Sequence, residues 1–152
     1  MKTFGYARTL AIVLCTALPA LCANHIARAD EPAKPMALRA VMQQLDEDMQ
    51  AVTSAIARED WIKVGELAPQ IGSHQQPPLR EKTRILAWLG THAGEFRGFD
   101  RQTHEAAQTM AAAAAQNDGE AVIAAFAKVQ QSCLACHTNY RKSFQQHFYN
   151  QR

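Results

Sequence analysis

Between Met36 and Gln146 the apolar residues recur three and four apart, the period of helices with one buried face. From Met36 to about Arg58 there is neither Gly nor Pro, and Leu38, Met42, Leu45, Met49, Val52 and Ile56 form one stripe. Asp46, Glu47 and Asp48 fall mostly off that stripe, and Pro35 suits the first position of a helix. Residues 59–71 predict a weaker second helix carrying Trp61, Val64, Leu67 and Ile71, which Pro69 should end or kink. Gly72 to Pro78 reads as a loop, and Leu79 to Leu89 as a short extra helical turn or two. Gly90, Gly94 and Gly98 interrupt the pattern. A third helix is predicted from Glu95 or Phe99 to Gln116, with Phe96, Phe99, Thr103, Ala107 and Met110 on one side. Its Ala111–Ala115 run favours helix and permits a close neighbour. Asn117 and Glu120 have the spacing of a capping box. The fourth helix then runs from about Gly119 to Gln146, with Val122, Phe126, Val129, Cys133, Tyr140 and Phe144 in line. No segment alternates as a strand does. Four helical segments with short connections predict an all-α, antiparallel four-helix bundle.

The start of the chain obeys a different rule. Lys2 and Arg8 precede an apolar run from Leu10 to Leu21, and Ala27-Arg28-Ala29 is a small-x-small cleavage pattern. The run is about a dozen residues, short of the roughly 20 that a spanning helix needs. Residues 1–29 are therefore read as a secretory signal, and residues 30–152 as one exported domain with no stable membrane insertion. Leu21 before Cys22 argues against a lipid anchor. Loss of Lys2, Arg8 and Arg28 leaves 13 basic against 14 acidic residues, a net of −1. Charges of both signs are interspersed without a basic run, so no nucleic-acid partner is expected.

Of four cysteines, Cys15 and Cys22 leave with the signal. The survivors stand in Cys133-Leu134-Ala135-Cys136-His137, the spacing of a haem c attachment motif. Each thiol forms a thioether with a haem vinyl group, and the adjacent imidazole meets the iron. Positions i, i+3 and i+4 share one helix face, so all three groups project together. A disulfide between Cys133 and Cys136 would staple almost nothing. A zinc site needs about four ligands, and His74, His92, His104 and His147 supply no second ligand pair. A dithiol redox motif belongs beside strands, and none is read.

A four-helix bundle with this motif near its C-terminal end resembles the class II cytochromes c, the cytochrome c′ family. The resemblance covers essentially all of residues 30–152. It is strongest in Cys133-Leu134-Ala135-Cys136-His137-Thr138-Asn139-Tyr140-Arg141, and Asp118-Gly119 ahead of Phe126 is also similar to the family. It implies one covalent haem c, His137 as the outer axial ligand, and an inner position supplied by the first helix. In low-spin members a Met fills that position, often with a second Met seven residues on. Met49 lies seven after Met42, which makes Met42 the candidate second axial ligand. The competing reading is Met42 as core filler; Met36, Met49 and Met110 are weaker candidates and read as core. Arg39, one turn before Met42, and Arg141, one turn after His137, are candidates for haem propionate contacts, or are simply solvated charges. Trp61, Trp88, Phe99 and Tyr140 are expected to wall the haem or the core, and His74 to be exposed.

The function expected is a periplasmic electron carrier, no enzyme by itself, since Met/His ligation raises the reduction potential and leaves no open site. The alternative is a five-coordinate protein of the cytochrome c′ type that binds nitric oxide or carbon monoxide; a third is a helical module without cofactor. Partners are redox proteins, and the resemblance implies a homodimer packed through the first two helices.

Overall fold

A computed structural model describes residues 35–149. The signal assigned to residues 1–29, with Cys15 and Cys22, lies outside the described residues. Four long helices make the bundle: α1 (Ala37–Ala57), α2 (Trp61–Gly72), α4 (Ala93–Ala115) and α5 (Gly119–Cys136). A shorter α3 (Leu79–Leu89) and one 3-10 turn (Gly90–His92) join α2 to α4. After α5 the rod continues through a π-helical turn (His137–Arg141) into α6 (Lys142–Phe148). The expected all-α four-helix bundle is present, and α3 is a full helix of 11 residues rather than a turn or two.

The two tight corners of the bundle are built alike. After α1, Glu59 takes a left-handed φ of 54°, and the Glu59 and Asp60 N–H groups bond the Ile56 and Ala55 carbonyls. After α4, Asn117 takes φ 56°, and the Asn117 and Asp118 N–H groups bond Ala114 and Ala113. This is the Schellman closure, which satisfies the last carbonyls of a helix. The next residue along the chain caps the next helix: Asp60 accepts from Lys63 N–H and Asp118 Oδ1 from Ala121 N–H, each at 3.0 Å. The cap of α5 is therefore Asp118 and not Asn117, whose left-handed backbone is spent on ending α4.

The core is the strip where α4 lies between α2 and α5. Val52, Val64, Ile71, Met110, Val122 and Val129 are fully buried there, filled in by Ala68, Ala107 and Ala114. Two glycines set how closely the helices approach. A Cβ on Gly72 would stand 3.2 Å from the Ala107 Cβ, and one on Gly119 only 2.9 Å from the Trp61 ring. Pro69 does not end α2, which runs on to Gly72. The proline removes one bond near the helix end, and burial of Leu67, Ala68 and Ile71 outweighs it.

A second cluster forms where α3 meets the end of the rod: Met36, Ile85 and Leu89 are buried among Trp88, Phe96, Tyr140, Phe144 and Phe148. Met36 cannot cap α1, and Glu81 of α3 does so instead. Its two oxygens accept from Ala37 N–H at 2.8 Å and Leu38 N–H at 2.7 Å. A carboxylate at a helix N-terminus is favoured by both hydrogen bonding and the helix dipole. Glu81→Ala is expected to cost about 1–2 kcal/mol, read by urea denaturation; an unchanged midpoint would show that the α1 terminus is held by other means.

Candidate functional site

The buried line of α5 is Val122, Ala125, Val129 and Ser132, and it leads directly into the cysteines. Cys133 and Cys136 are free thiols on consecutive turns, both half-buried, while Leu134 between them is 67 % exposed. Beside Cys133, the buried hydroxyls of Thr103 and Ser132 lie 2.7 Å apart and tie α4 to α5. Each hydroxyl is also within bonding distance of a carbonyl of its own helix, Phe99 O at 3.1 Å and Val129 O at 2.8 Å. Thr103→Val should cost about 1–2 kcal/mol, because Ser132 loses its buried partner. A double-mutant cycle with Ser132→Ala reads the coupling, and additive losses would show the two hydroxyls to be independent.

Burial pushes both thiols up. For Cys133 the effect is opposed by hydrogen bonds from Thr103 and Ser132. Cys136 is pushed to about 11 by burial, then by the charges of Cys133 and Asp100. Both groups are therefore neutral thiols at physiological pH. Among the described residues no three His, Cys, Asp or Glu side chains converge on a point that could hold a metal ion.

His137 stands exposed at the junction of α5 and the π-helical turn. Partial desolvation, then the Arg141 charge, hold its pKa below the usual histidine value. The neutral ring keeps a lone pair for a metal. The wider π turn shifts the register of α6 relative to α5, a device frequent at functional sites. Tyr140, inside that turn, donates to Glu95 Oε2 at 2.8 Å and meets Phe96 and Phe99 edge-on at 5.5 and 6.3 Å. Desolvation and the Glu95 carboxylate push its hydroxyl up to about 12. Trp88, His92, Glu95 and Tyr140 line a cleft of about 350 Å³ beside this turn.

Two neutral thiols and a neutral imidazole on successive turns of one rod suit covalent attachment of a haem. The sequence model of the family described as Cytochrome C' matches residues 37–141, from the first residue of α1 to the last of the π-helical turn. The chain belongs to the cytochrome c′ family. As a member of this family it carries covalently attached haem c. No protein of characterised function matches the chain significantly.

In this member of the family, α1 is rotated from the orientation that its apolar stripe predicts. Its buried line is Val41, Asp48, Val52 and Ala55, because α1 packs chiefly on α2 and touches α5 little. Met42 is consequently 38 % exposed and lies in neither core cluster, whereas Met36 and Met110 are buried and Met49 packs half-buried on the main core. Arg39 and Arg141 are both exposed, and neither forms an ion pair with a described residue. Trp61 is remote from the cysteines, packed on Gly119, while Trp88 belongs to the aromatic cluster.

Three polar residues near this end escaped the sequence pattern. Asp48 is buried and accepts from Gln44 Nε2 at 3.0 Å. His74 is not an exposed loop residue: its side chain is 14 % exposed, with Nδ1 3.1 Å from Ile71 O and Nε2 3.4 Å from Asp100. His104 joins the α2 end to α4 through Gly72 O at 2.9 Å. Their partners lie 3 to 32 residues away, and the distant ones leave no local signal.

Proposed function

We propose that this cytochrome c′ family member is a periplasmic, monohaem electron carrier. Cys133 and Cys136 supply the two thioether sulfurs, His137 the outer axial nitrogen and Met42 the inner axial sulfur. The reading is carried by the motif Cys133 to His137 on the last rod of a bundle that belongs to this family. Haem c supplies a one-electron ferric/ferrous couple.

The protein residues set how that couple is used. The lowered pKa of His137 keeps its imidazole available as a ligand. A methionine filling a core would be buried; Met42 is exposed on the helix that the family uses for the inner ligand, which favours a ligand over a filler. Ligation of both sides raises the potential and leaves no open site, the behaviour of a carrier rather than an enzyme. Arg39 and Arg141, one turn from the two axial residues, would pair with the propionates. Export through residues 1–29 accounts for the periplasmic location, and no helix among the described residues is long and apolar enough to cross a membrane.

The visible spectrum of the reduced holoprotein, with and without carbon monoxide, tests this. A low-spin spectrum that the gas leaves unchanged is expected. An immediate large change would mean an open inner position and the gas-binding role instead.

A further inference from the structure

We propose that the seam between α3 and α6 is the face on which an acidic redox protein docks. The proposal rests on the electron-carrier reading and adds the site and charge of the partner.

The charges of the chain are not evenly spread. The described residues carry 11 cations and 12 carboxylates, yet α3, the π-helical turn and α6 hold five of those cations, all exposed: Arg80, Lys82, Arg84 and Lys142, which are left for a partner, and Arg141, which is assigned to a haem propionate. Their one carboxylate, Glu81, has both oxygens committed to the α1 N-terminus. None of the five forms an ion pair among the described residues, although Arg84 lies 5.5 Å over the Phe148 ring. The corners at the other end of the bundle are acidic: Glu59, Asp60, Asp118 and Glu120 outnumber Arg58 there.

The basic segments are joined to one another and to the attachment motif. Trp88 of α3 stacks on His147 and meets Phe144 and Phe148 edge-on, all within 5.8 Å. Arg141 follows His137 by four residues on the same rod, one turn further on. Leu79 stands 77 % exposed next to Arg80, an apolar anchor at the edge of a cationic surface. An apolar contact beside charged groups is a common element of protein interfaces. Local charge, rather than the net charge, steers encounter with a partner. An acidic face fits this seam, whereas the net charge of the described residues, 11 cations against 12 carboxylates, would not attract it.

The test uses the full-length ferrous holoprotein and an acidic blue copper protein as probe. One electron leaves ferrous haem and reduces copper(II) to copper(I); no proton moves and no bond forms. Raising ionic strength from 10 to 300 mM should slow this transfer about tenfold. Arg80→Glu and Lys142→Glu should each slow it about threefold or more at low salt, and Arg58→Glu at the far end should not. Amide NMR shifts on adding the copper(I) form, where no electron can move, should fall on residues 79–88 and 140–149. Salt-independent rates, equal slowing by Arg58→Glu, or shifts elsewhere would overturn the proposal. So would binding of phosphatidylserine vesicles that depends on Arg80 and Lys142 without any response to the copper protein, which would make the seam a membrane contact. Failure of the carrier reading looks different: ferrous protein that binds carbon monoxide at once, while the NMR titration still reports docking.

Discussion

Met42→Ala should turn a low-spin spectrum into a high-spin one and open the reduced protein to carbon monoxide. The change is expected to be complete, because alanine has no donor atom and no other described methionine is free to replace Met42. Met36 and Met110 are buried, and Met49 is packed on the core beneath α1. Met42 fills no core position, so the polypeptide itself should lose no more than about 0.5 kcal/mol. Met49→Ala is the matching control. It should leave the spectrum alone and destabilise the bundle by about 1–3 kcal/mol, since it removes packed apolar surface. The reversed pattern, with the spectrum tracking Met49, would transfer the ligand assignment to the next turn but one of α1. A spectrum indifferent to both substitutions would remove α1 methionines from the iron.

Replacing Cys133 and Cys136 together by alanine should abolish covalent haem. The wild-type chain, matured in a periplasm that attaches c-type haem, should give a haem-staining band on a denaturing gel and a mass raised by one haem. The double variant should give neither, because only a thioether survives denaturation. His137→Ala keeps both sulfurs but removes the outer ligand, and its yield of stable holoprotein should fall at least about tenfold, the scale of losing a metal-site partner. A normal haem yield from His137→Ala would displace this histidine from the site. Staining of the double variant would mean that the attachment lies elsewhere in the chain. The raised pKa values of the two thiols add a control: neither cysteine should react quickly with iodoacetamide at pH 7 in the apoprotein, as thiolate is scarce.

The attachment motif was legible because its geometry is local. Residues three and four apart on any helix share a face, so Cys133, Cys136 and His137 converge whatever surrounds them. The helical periods and the loop from Gly72 to Pro78 were legible for the same reason. The corner before α5 shows how narrow that legibility is. Asn117 and Asp118 are both good capping residues, and which of them caps depends on which one takes the left-handed conformation that ends α4.

By itself, then, the order of residues determined the number of principal helices, the all-α class and the thiol–thiol–imidazole group on the last rod, since each arises from interactions within a few positions. Tertiary structure alone decided the rotation of α1, which buries Val41 and Asp48 and leaves Met42 exposed. It also decided the capping of α1 by Glu81 some 44 residues away, the pairing of His74 with Asp100, and the packing of Trp88 of α3 on α6, which joins two cation-bearing segments. A helix with apolar residues on more than one side turns whichever side its neighbours can bury best, and the identity of those neighbours is not written in its own period.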